Sequence, residues 1–116
     1  MPTGAEWEYA ARGGNGLAGY QYEYAGSDTI GDVAWYTDNS SKAHTVKGKK
    51  ANGLGLYDMS GNVWEWCWDS SGSGNRYSRG GSWDFSADDC PVSDLLISNA
   101  YYRHDSSGFR VVRTAE

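Results

Sequence analysis

The sequence predicts one small α+β domain with one or two helices, short strands and a large share of irregular loop. At 116 residues the chain is long enough for one core. Hydrophobic residues make up 39% of it, below the usual globular range, so six Trp and nine Tyr must supply much of the burial. Sixteen Gly and only two Pro indicate many tight turns.

The charge pattern argues against two classes of function. The net charge is -5, and the basic residues cluster only at Lys47, Lys49 and Lys50. A nucleic-acid surface needs a basic stripe, so we expect no nucleic-acid partner. The chain contains no apolar run of membrane-spanning length, and its first residues lack the apolar core of a signal peptide. We therefore expect no membrane insertion, and the sequence leaves the location open.

The first predicted element is a helix over Thr3–Arg12. Thr3 can cap its amino end, and Glu6 completes a capping box three residues later. Three apolar residues then share one face at helical spacing: Trp7, Ala10 and Ala11. Gly13 and Gly14 end the helix.

Three strands follow in the second half of the chain, over residues 63–68, 76–83 and 108–113. In the first, apolar residues alternate, so that Trp64, Trp66 and Trp68 lie on one side and Val63, Glu65 and Cys67 on the other. A carboxylate among such neighbours needs a partner, because burial of an unpaired charge is costly. Cys67 and Cys90 are expected to be buried free thiols, with a single disulfide as the alternative.

Five stretches, in this order, resemble the formylglycine-generating, sulfatase-modifying factor family: PTGAEWEYAARGG, DVAWYTDNSSKAHTV, NGLGLYDMSGNVWEWCWD, RGGSW and GFRVV. The resemblance covers essentially the whole chain. It implies a C-type-lectin-like fold, with residues 1–116 forming one minimal domain that lacks the family's usual amino-terminal segment. A shortened domain uncovers apolar surface, so we also expect self-association into a homo-oligomer.

The same resemblance implies a structural calcium ion. Family members hold it in the turn and strand that correspond to DMSGNVWE. Carried over, Asp58 and Glu65 supply carboxylate oxygens, and Gly61 and Val63 supply backbone carbonyls, which are the hard ligands that calcium prefers. The alternative is that Asp58 caps a turn and Glu65 pairs with an arginine.

The family's oxidases convert a substrate cysteine to formylglycine, using two cysteines that hold copper. Here Cys90 stands at one of those positions, but the other, five residues earlier, is Phe85. A second branch uses iron held by histidines of an added helical domain, and His44 and His104 do not form such a cluster. We therefore expect no copper and a chain that is not an enzyme. A formylglycine-generating oxidase, or a catalytically dead paralogue, is the alternative.

Residues 84–107 lack Lys, Glu, Gln, Met and Trp, the five residue types that codons ending in a pyrimidine cannot encode. This pattern resembles the variable region of a diversity-generating retroelement protein, in which adenine-directed copying errors diversify the end of a lectin-like gene. The resemblance implies a fixed frame formed by Trp83, Ala87, Cys90, Val92, Arg103, Gly108, Phe109 and Arg110.

The remaining residues of this segment then form a display surface for an unknown protein or other macromolecular ligand. Loops on a rigid scaffold are common recognition surfaces, and Tyr, Asp, Ser and Asn suit them. The expected ligand-binding residues are Asp84, Phe85, Ser86, Asp88, Asp89, Asp94, Leu96, Ile97, Ser98, Asn99, Tyr101, Tyr102, His104, Asp105 and Ser106.

Overall fold

The structure, a computed structural model, describes residues 1–13 and 22–113. Two helices, one 3-10 turn and four short strands account for its regular structure, and the rest is loop. In chain order the elements are α1 (Gly4–Ala11), α2 (Ile30–Val33), β1 (Trp64–Gly72), β2 (Asn75–Arg79), the 3-10 turn Ala87–Asp89, β3 (Leu96–Asn99) and β4 (Ser107–Gly108). This composition confirms the predicted loop-rich α+β class.

The four strands form one sheet in the order β3-β2-β1-β4. β1 and β2 make an antiparallel hairpin, β3 adds antiparallel to β2, and β4 lies parallel to β1. Consecutive strands β3 and β4 thus occupy opposite edges of the sheet. The chain between them, residues 100–106, must cross from one edge to the other, and we call it the crossing loop.

Helix α1 has the predicted start. Thr3 accepts a hydrogen bond from the Glu6 N–H at 3.1 Å, and Glu6 accepts one from the Thr3 N–H at 2.8 Å, so both halves of the capping box are present. Trp7 and Ala11 are buried against the sheet side of the core. Gly13 has a φ of +86°, which ends the helix, and Gly14 lies outside the described residues.

The core divides into two clusters of buried side chains. One contains Trp7, Ala11, Ala25, Met59, Cys67 and Val92. The other contains Tyr24, Val33, Ala34 and Cys90. Each cysteine belongs to a different cluster, and both are free and buried, which confirms the expectation of two unpaired thiols.

The predicted strand over residues 76–83 is half right. β2 ends at Arg79, where Gly80 and Gly81 adopt left-handed φ values of +100° and +73° and turn the backbone away from the strand. A side chain at position 80 would meet the Met59 carbonyl oxygen and the Trp7 ring. This glycine pair lets the backbone turn where it packs against the core.

The predicted strand over residues 108–113 is mostly wrong. Only Ser107–Gly108 pairs, opposite Trp64 and Glu65 of β1. The next turn of backbone directs Arg110 inward, where it bonds Glu65 and the Tyr57 carbonyl, so the ladder stops there. β1 itself is longer than predicted, and it begins one residue later.

Glu65 is the centre of a buried polar contact that joins three parts of the fold. It is 4% exposed. Its two oxygens accept bonds of 2.6 Å from Arg110 Nε and 2.8 Å from Arg110 Nη2, and Oε1 also accepts one of 2.9 Å from Trp7 Nε1. Burial raises the pKa of the Glu65 carboxyl, while the bonds to Arg110 and Trp7 oppose that shift. α1, β1 and the segment after β4 therefore meet at one carboxylate.

We predict that Arg110→Met lowers the free energy of unfolding by about 3 kcal/mol, because it leaves the buried Glu65 charge without its partner. Urea unfolding followed by tryptophan fluorescence measures this. Arg12→Gln is the matched control, since Arg12 pairs with Glu8 nearer the surface at 2.9 Å and its loss should cost less than about 1 kcal/mol. Equal losses in the two variants would contradict a special role for the buried pair.

Candidate functional site

The predicted display segment enters on a rigid loop after β2. Gly81 packs so closely on Cys90 that a Cβ at position 81 would lie 2.6 Å from the Cys90 Sγ. The Cys90 carbonyl accepts a bond of 2.9 Å from Ser60 Oγ, which in turn accepts one from the Ala25 N–H. Two residues later, the Val92 N–H donates to the Glu23 carbonyl. These contacts hold the backbone of the entry independently of the exposed side chains.

The first part of the segment, residues 84–89, combines one anchor with several exposed side chains. Phe85 is half-buried, and its ring meets Trp64 edge-on at 5.2 Å. Its carbonyl accepts a bond from the Thr37 N–H at 3.0 Å. Asp84, Ser86 and Asp88 around it are exposed. Phe85 thus anchors the loop from which the acids project.

The second part is β3, a strand that sequence reasoning missed. It pairs with β2 over four residues, from Leu96 opposite Ser78 to Asn99 opposite Asn75. Ile97 and Asn99 are exposed, whereas Leu96 and Ser98 are half-buried. The run of Leu, Leu and Ile at residues 95–97 was the available signal, but four residues are too few for an unambiguous period.

The crossing loop presents two exposed tyrosine rings. Tyr101 is 89% exposed, and Tyr102 is exposed beside it. The Tyr102 and His104 rings stack with centroids 6.0 Å apart, and His104 Nδ1 lies 2.9 Å from Asp105 Oδ1. The Asp105 carbonyl accepts a bond from Trp83 Nε1 at 3.5 Å, which connects the loop to the frame.

The structure brings nine of the fifteen predicted binding residues to the surface: Asp84, Ser86, Asp88, Ile97, Asn99, Tyr101, Tyr102, His104 and Asp105. Five more are half-buried: Phe85, Asp89, Asp94, Leu96 and Ser98.

Ser106 is a correction, because it is only 2% exposed. Its carbonyl accepts the Trp64 N–H at 2.7 Å and its hydroxyl lies 2.7 Å from His104 Nδ1. It therefore belongs to the frame. Two residues expected in the frame, Arg103 and Phe109, are instead exposed.

The segment is strongly acidic. Residues 84–107 contain five Asp and one Arg, so they carry four of the five net negative charges of the chain. Exposed tyrosines lie among these acids. These charges make the electrostatic potential around residues 84–107 negative.

The residues predicted to bind calcium make other contacts in this structure. Both oxygens of Glu65 are bonded to Arg110, which is the alternative that the sequence left open. Asp58 Oδ2 accepts the Lys47 N–H at 2.9 Å, and only Asp58 Oδ1 lacks a partner. The part of the chain described contains no group of three or more His, Cys, Asp or Glu placed to hold a metal, whereas Gly61 and Val63 are predicted to contribute backbone carbonyls. Calcium binding stays a prediction.

Cys67 and Cys90 both behave as buried core residues rather than as reactive thiols. Cys90 is fully buried, and burial together with the nearby Asp89 raises the pKa of its thiol to about 12. Burial raises the pKa of Cys67 to about 11. The thiolate is the form that attacks or binds a metal, so neither side chain is prepared for such a role at neutral pH. His44 stacks on Trp35 with ring centroids 3.7 Å apart, and its Nε2 lies 2.8 Å from Ser40 Oγ.

None of the described helices has the length and apolar character needed to cross a membrane.

Comparison with known proteins shows which family this chain resembles. The Sulfatase-modifying factor enzyme 1-like domain matches residues 1–115. The formylglycine-generating enzyme of Streptomyces coelicolor is 35% identical over 91% of this chain and 37% of its own length. Inactive C-alpha-formylglycine-generating enzyme 2 of Mus musculus is 35% identical over 99% of this chain and 43% of its own length. The family thus contains both enzymes and inactive members.

Among solved structures, Treponema denticola variable protein 1 superposes with a TM-score of 0.85 and 38% identity, covering 94% of this chain and 45% of that one. This likeness confirms the C-type-lectin-like fold and the resemblance to a variable protein. The chain spans less than half the length of each of these relatives. From its sequence motifs, its fold and these matches, we conclude that the chain belongs to the sulfatase-modifying factor family.

Proposed function

We propose that this chain is a non-enzymatic ligand-binding protein, which displays a diversified surface on a C-type-lectin-like scaffold. The observation that carries this proposal is the division of residues 84–107. The side chains at nine positions point to solvent, while the backbone between them is held by Gly81, Cys90, β2 and β4. Such a division allows the exposed residues to vary without a cost to the core.

The likeness to Treponema denticola variable protein 1 supports the proposal, because that protein has the same fold and is named for its variability. The absence of Lys, Glu, Gln, Met and Trp from residues 84–107 supports it independently. The partner is a protein or another macromolecule. Tyr101 and Tyr102 provide large contact area at small entropic cost, and the exposed aspartates favour basic groups opposite them.

An oxidase function has less support. Two thiolates hold Cu(I) in such an enzyme, and soft ligands at both positions are essential to it. Phe85 fills the earlier position and packs on Trp64, whereas Cys90 is fully enclosed. The carbonyl of Cys90 and its contact with Gly81 give it a packing role instead.

Substitutions at exposed positions of residues 84–107 should change the free energy of unfolding far less than substitutions at the close-packed frame position Gly81. Tyr101→Ala and Asp88→Ala should change the free energy of unfolding by less than about 0.5 kcal/mol, because both side chains are exposed. Gly81→Ala should cost more than about 2 kcal/mol, because position 81 has a left-handed φ and no room beside Cys90. Chemical denaturation of the three variants measures this.

A display library extends the same test to binding. Random side chains at the nine exposed positions should yield folded variants that bind a basic test protein such as lysozyme. A control library randomised at Gly81, Ala87, Cys90 and Val92 should yield few folded members. If both libraries lose the fold equally, the segment is not a display surface.

The thiol pKa values predict chemical inertness. Between pH 7 and pH 9, Cys67 and Cys90 should not react with Ellman's reagent in the folded protein, because both thiols stay protonated and buried. Both should react in guanidinium chloride, which is the internal control. Cu(I) should not bind in competition with bathocuproine disulfonate. Tight Cu(I) binding together with oxidation of a cysteine-containing peptide would support the oxidase alternative instead.

A further inference from the structure

The strand β3 forms an open edge of the sheet. The opposite edge, β4, is only two residues long, Ser107–Gly108. β3 is longer, and it pairs with β2 over four residues in one continuous register. Proteins usually guard such an edge with charged side chains, proline or a bulge, because an open edge pairs with other strands that reach it. Leu96–Asn99 contains none of these guards.

The register of β3 directs the hydrogen-bonding groups of Ile97 outward. In an antiparallel pair, residues that bond the neighbouring strand alternate with residues that face away from it. The Ala100 N–H donates to the Gly74 carbonyl at 2.9 Å, in register with the β2–β3 pairs. Counted back in steps of two, Ser98 and Leu96 bond to β2, so the Ile97 N–H and C=O face the open edge. No loop in the described ranges bonds the Ile97 backbone.

Exposed aliphatic side chains accompany this open backbone. Leu95 is 42% exposed and Ile97 is 50% exposed. The far end of the edge is closed, because the Asn99 carbonyl accepts the Tyr102 N–H at 2.9 Å. The stretch open to another strand is therefore residues 95–98, which offers aliphatic surface together with main-chain groups.

Main-chain pairing suits a segment whose side chains vary. All four residues of β3 are among those expected to bind ligand as variable positions. Their N–H and C=O groups stay the same whatever side chains they carry. When a strand is added to a sheet edge, main-chain bonds supply affinity and alternate side chains supply specificity. The edge of β3 can thus give a constant part of the affinity to every variant.

The charges near this edge distinguish between possible occupants. Asp94 directly precedes Leu95, and none of the ion pairs among the described residues includes it. Arg76 of the neighbouring strand is directed to the Trp68 ring and carbonyl. With five Asp and one Arg, residues 84–107 carry four net negative charges, so a second copy on this edge would bring two such segments together. This repulsion favours an occupant with basic side chains.

We propose that β3 binds an extended peptide segment with basic side chains, which adds to the sheet as a further strand beside Ile97. The inference rests on the proposed binding function, whose partner it specifies. The Ile97 N–H donates to a peptide carbonyl, the Ile97 carbonyl accepts a peptide N–H, and a basic side chain pairs with Asp94. A helix does not fit, because its own backbone groups are already bonded to one another.

Titration with a blocked five-residue peptide of alternating lysine and valine, followed by proton–nitrogen correlation spectra, tests this proposal. We expect saturable shifts concentrated at the Leu95 and Ile97 amides. Intermolecular Overhauser contacts should join the Ile97 amide proton to the peptide backbone. The same peptide with glutamate in place of lysine should bind at least about tenfold more weakly.

Three results of this titration would overturn the proposal. The first is peptide binding without contacts at Ile97. The second is equal binding of the lysine and glutamate peptides. The third is a set of shifts at Ile97 that depends on protein concentration in the absence of peptide, which would show that a second copy occupies the edge.

Ile97→Pro is the diagnostic variant. Proline lacks the outward N–H but leaves the bonds between β3 and β2 in place, so the variant should fold, as its spectrum will show. It should bind the lysine peptide at least about tenfold more weakly, whereas Ile97→Ala, which keeps the N–H, should bind within about threefold of the parent. Equal binding by folded Ile97→Pro would contradict main-chain pairing. If Ile97→Pro does not fold, the Overhauser contacts of the parent decide.

The fate of this inference can be distinguished from that of the proposed function. Libraries that yield folded lysozyme binders, together with no peptide contact at Ile97, would overturn the edge site alone. Peptide pairing at Ile97, together with two libraries that lose the fold equally, would overturn the display surface and leave β3 as a peptide site.

Discussion

The buried contact between Glu65 and Arg110 is the interaction on which the rest of the structure depends. Bonds of 2.6 and 2.8 Å join the first half of β1 to the segment that follows β4, and Trp7 joins α1 to the same carboxylate. The sheet pairing of β4 covers only two residues, which is too short to hold the end of the chain by itself. The Glu65–Arg110 pair therefore fixes the position of the segment that follows β4, and with it the end of the crossing loop.

Two fixed points, one at each end, hold the backbone of residues 84–107 in place. At the entry, Gly81 and Cys90 are packed too closely to admit a larger side chain. At the exit, Ser106 bonds Trp64, and β4 lies next to β1. Between these points the chain crosses the sheet with its largest rings exposed. Under the proposed function, a ligand would meet variable side chains on a backbone whose course is already determined, which would lower the entropic cost of binding.

Sequence patterns predicted the parts of the fold that rest on local chemistry. The capping box of α1 and the buried alternation of Glu65 and Cys67 depend on residues close together in the chain, and both are confirmed. β3 was missed because its four residues obtain their strand geometry from pairing with β2. The extent of the last strand was overestimated, since only the tertiary contact of Arg110 with Glu65 decides where pairing stops.

The same distinction applies to the candidate site. The missing residue types located the segment, and nine of its predicted residues are exposed, but amino-acid composition gives no indication that Ser106 is buried. The choice between an ion and an arginine at Glu65 also depended on a residue 45 positions away. Long-range contacts of this kind carry no local signal, which is why the sequence left both options open.

The proposed function requires that selection keep the frame of residues 84–107 while its exposed side chains vary. Deep sequencing of this gene across many cells of its natural population measures this most directly. We expect substitutions concentrated at the nine exposed positions, at sites that are adenine in a nearby template repeat, with Gly81, Cys90 and Gly108 unchanged. Substitutions spread evenly over the gene, or a population with a single sequence and no template repeat, would contradict it.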